Sequence, residues 1–360
     1  MRISAINPAF LKSFLLKVVL SLPAPLLRAA SGGRVVHVDG QTLDPQMQFL
    51  WQTWLTDQRG QPRLGVAGRP LDQAHQDWHE IAAFLSPPPS LRVRFETTGS
   101  SGLNTGLLIR PARIADDMPL LVFFAQGGHV LGGPELSRAF CALLAHEAGC
   151  PVFLPALRLA PDHRFPAALE DARAAIDWAQ ANAYSLGSVS GRIAVGGALT
   201  GAGLAARLCF ELKRAFKPMP VAQLLFTPLL DFADPALRGD APSAGVWPLT
   251  SADLVEMIGH YTGGGSDLSD PLLSPLRESL IVGQPKTLIV SAGLDPLAPQ
   301  AEAYARRLLA ARSPVIYRRY DTLPLGFDLF VTQVDAARAA VIDIAALWRD
   351  LLRDDTDKSA

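Results

Sequence analysis

Residues 192–204, Arg-Ile-Ala-Val-Gly-Gly-Ala-Leu-Thr-Gly-Ala-Gly-Leu, pass from an apolar strand through a glycine-framed turn into a helix start of small residues. That order is the frame of a nucleophile elbow, G-x-S-x-G, in which a sharp strand-to-helix turn holds a serine hydroxyl above a sheet. The five positions here are Gly197, Ala198, Leu199, Thr200 and Gly201. The glycines that permit the turn are present, but the nucleophile position is leucine. A leucine side chain carries no lone pair and attacks no carbonyl.

The chain around this turn has the makings of one large α/β domain with an added cap. Its 360 residues are 49% hydrophobic and 19% charged, enough to bury a sizeable core. A net charge of −1 gives no footprint for nucleic acid. Cys141, Cys150 and Cys209 show no metal-ligand spacing, and an odd, sparse count fits buried thiols in a reducing compartment, so a cytoplasmic location is expected. No cofactor motif, phosphate loop, repeat or low-complexity tract is present.

Residues 1–38 hold five basic side chains (Arg2, Lys12, Lys17, Arg28, Arg34) and no acidic one, around the apolar run 10–27. Lys17, Pro23 and Pro25 interrupt that run, which disfavours a signal peptide or a bilayer span. Cap helices are the preferred reading, with a membrane-surface amphipathic helix as the alternative. Residues 41–82 show helical spacing (Leu50, Trp51, Trp54, Leu55, Trp78, Ile81) and complete a cap ending near residue 85, where three prolines follow. A hairpin at 91–97 and 105–110 opens the core. Strands at 120–124, 151–154, 192–195, 222–226, 287–291 and 315–320 then alternate with helices, which argues a mainly parallel sheet covered on both faces. The expected division is 1–85 cap, 86–353 core with a second cap element at about 231–280, and 354–360 a tail.

Four further segments carry a resemblance. Residues 120–133, LLVFFAQGGHVLGG, 155–171, PALRLAPDHRFPAALED, 290–297, VSAGLDPL, and 319–327, RYDTLPLGF, fall in order along the chain. They resemble, respectively, the oxyanion loop (HGGGW), the Y-R-L-A-P-E segment, the acid segment and the histidine segment of the hormone-sensitive-lipase family of α/β-hydrolases. The resemblance covers roughly residues 35–350 and implies an α/β-hydrolase fold with a helical cap. It also implies a triad at Leu199, Asp295 and Leu325, of which only the acid keeps its residue type. In the oxyanion loop it implies Ala125 and Gln126 for His and Gly, retained Gly127 and Gly128, and His129 for the usual aromatic.

Loss of a nucleophile or base removes about 10⁴–10⁶ of turnover, and oxyanion stabilisation with binding leaves about 10³ over water. The expectation is therefore a non-hydrolytic homologue that uses the old ester pocket for a hydrophobic small molecule, with cyclase- or dehydratase-like chemistry, as in family relatives with altered triads. A binding or regulatory pseudoenzyme is the alternative, and a residual carboxylesterase a third. Asp295, His129 and Gln126 are the candidate catalytic groups. Gln126, Gly127, Gly128, His129 and Thr200 line the candidate oxyanion pocket. Each has a plain structural reading beside it: His129 packed or capping, Asp295 a relic held by backbone donors, Leu199 and Leu325 filling a collapsed pocket. No metal is expected, and a homodimer is admissible.

Overall fold

The computed structural model describes residues 15–56, 63–85, 91–99, 105–238 and 249–353. The proline boundary expected at 86–90 and the tail from 354 lie outside the described residues.

The described residues open with helical residues 15–20 (α1) and a short helix Ala24–Ala30 (α2). A two-stranded hairpin follows, His37–Val38 (β1) with Gln41–Thr42 (β2), in place of the start of the expected helical stretch. Its turn is Asp39-Gly40, with φ of 50° and 77°. Two left-handed residues make the tight turn whose twist matches paired strands, and Asp-Gly is a favoured dipeptide for it. Helix α3 (Pro45–Thr53) then begins at Asp44, whose carboxylate accepts from the N–H groups of Gln46 and Met47. Helix α4 spans Leu71–Leu85.

The core strands are β3 (Val93–Thr98), β4 (Gly106–Pro111), β5 (Leu120–Phe124), β6 (Val152–Pro155), β7 (Ile193–Ala198), β8 (Ala222–Phe226), β9 (Lys286–Leu294) and β10 (Val315–Pro324). They form one eight-stranded sheet in the order β10-β9-β8-β7-β5-β6-β4-β3. Pairing is parallel from β10 to β6 and antiparallel at β4 and β3. Strands β5, β6, β7 and β8 are buried at every residue, as expected of a parallel sheet covered on both faces. The crossover helices are α5 (Arg138–Ala148), α6 (Ala167–Ala181), α7 (Thr200–Arg214), α9 (Ala298–Ala310) and α10 (Asp335–Arg353), and α8 (Ser251–Thr262) lies in the insertion after β8. Two apolar clusters result, one per face of the sheet. One includes Phe123, Phe140, Phe226, Leu288 and Trp348, and the other Val122, Ile176, Leu208 and Tyr304.

All three cysteines are buried and unbridged. Burial pushes the Cys150 and Cys209 thiols up to about 12, so neither is a ready thiolate. Among the described residues, no helix is long and apolar enough to cross a membrane.

Candidate active site

The elbow forms where its glycines predict it. Gly197 and Gly201 face each other across the turn so closely that a Cβ on Gly197 would collide with the Gly201 backbone. Between them Leu199 takes φ 55° and ψ −117°, a backbone region that L residues rarely occupy. The surroundings hold it there: its N–H donates to the Phe226 carbonyl at 3.0 Å, and its carbonyl accepts from Leu229 at 3.1 Å. Leu199 is 3% exposed and joins the same apolar cluster as Leu325, which is 2% exposed. Each buried leucine contributes about 1.5–3 kcal/mol of transfer free energy, which balances the strain at the elbow.

Asp295 lies just past the end of β9, and the Leu325 N–H donates to the carbonyl of its neighbour Leu294 at 3.1 Å. One carboxylate oxygen of Asp295, Oδ1, accepts from the Leu297 N–H at 2.7 Å, while Oδ2 is buried with no hydrogen-bond partner among the described residues. Burial dominates its titration and raises it to about 7, although backbone donors and Arg319 pull the other way. The topology thus brings the elbow, Asp295 and Leu325 to the C-terminal edge of the parallel strands.

The loop after β5 supplies the other wall. Gly127 and Gly128 adopt φ of 125° and 69°. Among the described residues their N–H groups donate to no acceptor. The Thr200 N–H, first in α7, has no carbonyl one turn back to bond. Three amides are therefore available for an oxyanion. The Thr200 hydroxyl is buried without a partner.

His129, at φ 57°, packs against Tyr261 of α8 with ring centroids 4.7 Å apart and planes tilted by 43°. Burial holds its imidazole down at about 4, opposed by hydrogen bonding to the Thr200 backbone. It is therefore neutral at ordinary pH, with a nitrogen that can accept a proton. Gln126 points elsewhere: its Nε2 donates to Asp328 Oδ2 at 2.8 Å. The Asp328 carboxyl is buried, its Oδ1 lacks a partner, and burial raises it to about 7. Asp328 was not among the sequence candidates, and its signal was a lone acid in the apolar run GFDLF at 326–330.

Helix α8 closes the site. A Cβ on Gly128 would collide with Met257, and Tyr261 packs on His129 and Phe165. A cavity of about 10 Å³ lies beside His129, Thr200 and Tyr261, and another of about 20 Å³ beside Gln126 and His129. Such spaces hold at most about one water. A cleft of about 820 Å³ lies at the other edge of the strands, between Arg113, His146 and Arg349. No cluster of three or more His, Cys, Asp or Glu among the described residues is placed to hold a metal.

Comparison with known proteins agrees with this arrangement. A family model described as alpha/beta hydrolase fold matches residues 121–329. The chain is 33% identical over 355 residues to the carboxylic ester hydrolase LipN of Mycobacterium tuberculosis, covering 94% of this chain and 91% of that one. The chain belongs to the α/β-hydrolase family of carboxylesterases. Carboxylesterase NlhH of the same organism is 31% identical over 324 residues, 86% of this chain and 96% of its own. The hyperthermophilic esterase of Pyrobaculum calidifontis superposes with a TM-score of 0.73 at 27% identity, over 86% of this chain and 98% of that one.

These findings correct one expectation. Non-hydrolytic cyclase- or dehydratase-like chemistry, and a ligand-binding or regulatory pseudoenzyme, find no counterpart among these relatives, which are named for ester hydrolysis. Nor is the hydrophobic pocket that such chemistry needs open at the elbow, where Leu199, Leu325, Met257 and Tyr261 are all buried. Apolar side chains brought together at the elbow bury one another instead of lining a chamber.

Proposed function

We propose that the chain binds carboxylic esters and hydrolyses them slowly on its oxyanion amides, its Ser-His-Asp triad having degenerated to Leu199, Leu325 and Asp295. In this reading water replaces serine as the nucleophile. Water attacks the acyl carbon while the neutral His129 imidazole accepts its proton. The N–H groups of Gly127, Gly128 and Thr200 take the charge that develops on the carbonyl oxygen. Collapse of the tetrahedral intermediate expels the alkoxide, which recovers the proton from the imidazolium. No covalent acyl-enzyme forms.

The supporting observation is the position of His129, which hydrogen-bonds at the Thr200 backbone and stays neutral down to about pH 4 beside three amides without acceptors. A base that weak, with no serine, leaves turnover near the oxyanion-only level of about 10³ over water. Substrate entry needs α8 to withdraw Met257 and Tyr261. We take residues 1–85 and about 231–280 as the cap that moves over the 86–353 core. The three buried thiols support a reducing, cytoplasmic setting.

The test is p-nitrophenyl butyrate hydrolysis at high protein concentration, by the native chain and by His129→Gln and Thr200→Val. Slow turnover that His129→Gln abolishes and Thr200→Val retains is the expected result. Turnover no greater than that of a heat-inactivated sample would overturn the reading, and loss in Thr200→Val would make threonine the nucleophile.

A further inference from the structure

The helix at residues 15–20 is apolar on two sides. Leu16 and Leu20 are buried against the body of the protein, whereas Leu15, Val18 and Val19 and, in the closing turn, Leu22 are 54, 51, 37 and 43% exposed. The exposed four stand at i, i+3, i+4 and i+7, one continuous stripe along a helix. Leu26 of α2, 54% exposed, and Val35 extend it. A surface helix of a globular protein normally turns such a stripe inward. Here the inward face is already occupied by Leu16 and Leu20, so the second stripe is surplus to folding.

Its charge setting selects an occupant. Residues 1–38 contain five lysines and arginines and no acid, although the chain as a whole carries −1. Lys17 is held at the base of the stripe by Asp335 and the Gln333 carbonyl at 2.6 and 3.0 Å. Arg28 is half-buried, and Arg34 is exposed next to Val35. The nearest acids in sequence, Asp39 and Asp44, lie beyond the basic run, and Asp44 is spent on the start of α3. Asp335, the acid that meets the stripe, is neutralised by Lys17. Exposed leucine and valine flanked by Arg28 and Arg34 is the pattern of a helix that lies in the headgroup region of an anionic bilayer.

We propose that this stripe docks the protein on an anionic lipid surface, with Leu15, Val18, Val19, Leu22 and Leu26 entering the interface and Arg28 and Arg34 meeting lipid phosphates. The helix is fastened to the segment that follows Leu325 through Lys17, and through Gln46, which bonds both the Leu20 carbonyl and Asp335. Docking therefore brings the bilayer alongside the start of α10. The proposal stands whether or not that site turns an ester over.

The experiment is flotation of the full chain with vesicles of phosphatidylcholine and phosphatidylglycerol in equal parts, and with phosphatidylcholine alone. Three proteins are compared: native, Arg34→Gln, and the quadruple variant Leu15→Ser, Val18→Ser, Val19→Ser, Leu22→Ser, with circular dichroism to check its fold. Binding to the mixed vesicles that weakens with salt is expected. Arg34→Gln should bind roughly fivefold more weakly, and the quadruple variant at least about tenfold. No flotation of the native protein, or equal flotation of the native and quadruple proteins, would overturn the proposal. So would a native dimer that fails to float and that the quadruple variant converts to a monomer, since the stripe would then join two copies.

Discussion

At residue scale, the elbow stores a contradiction between backbone and side chain. Leu199 holds a conformation that costs a non-glycine residue about 1–3 kcal/mol, yet supplies no reactive atom in return. The Asp295 oxygen Oδ2 is a buried acceptor with nothing to accept. Both features accord with the triad positions proposed above, and that proposal yields a direct prediction. Leu199→Ser with Leu325→His should raise p-nitrophenyl butyrate turnover by roughly 10²-fold or more, because nucleophile and base act as one unit. Each single variant should gain far less. A folded double variant with native rates would mean that the loop carrying Ala125 and Gln126 no longer aligns with the elbow. The His129→Gln variant tests the present chemistry from the other side. If free His129 is the base, native kcat/KM should be flat above about pH 6 and fall toward pH 4, the reverse of an imidazolium-dependent profile.

At element scale, one carboxylate joins α8, which covers the site, to the 63–69 segment. Asp253 closes a capping box at the start of α8, where its Oδ2 accepts from the Thr250 N–H at 2.6 Å. Its Oδ1 reaches across to the N–H groups of Val66 and Ala67 at 2.7 and 2.8 Å. Gly65 is glycine because a Cβ there would strike this carboxylate. Helix α8 and the 63–69 segment must therefore move together when the site opens, or break this clasp. Asp253→Ala removes the box and leaves buried amides unpaired, and should lower stability by about 2–4 kcal/mol in chemical denaturation. It should also speed proteolysis around α8 before the core unfolds. A loss below about 0.5 kcal/mol would show that the clasp is not under load. The glycines of the elbow and the apolar strands were readable because turn chemistry and burial on both faces leave local marks. The β1–β2 hairpin was also marked, by Asp39-Gly40, but the helical spacing of the residues beyond it masked that signal.

At the scale of the whole molecule, buried titrating groups set how stability responds to pH. Asp295 and Asp328 lose their protons near pH 4 when unfolded but keep them to about 7 when folded. The folded state thus binds more protons between those values, and their contribution to stability is lost as pH rises through about 7. His129 has the opposite sign: depressed from 6.5 to about 4, its contribution is lost as pH falls through that window. Two carboxyls outweigh one imidazole, so stability should decline from pH 5 to 8. In Asp328→Asn a carbonyl still accepts from Gln126 and no proton is lost. That variant should gain on the native protein by about 1–4 kcal/mol between pH 5 and 8, read from thermal melts. A difference that does not change with pH would place the proton elsewhere.

The sequence alone determined the sheet and the strand-turn-helix elbow at Leu199, since periodicity and glycine placement act over a few residues. It could not show that Gln126 is drawn away to Asp328, 202 residues on, that His129 meets Thr200 and Tyr261, or that Met257 presses on Gly128. Those pairings come from distant segments. The physical reason is the hydrophobic effect, which acts on the assembled surface. Leu199 and Leu325 are apolar, and only the tertiary structure could decide that neighbouring side chains would close the space around them.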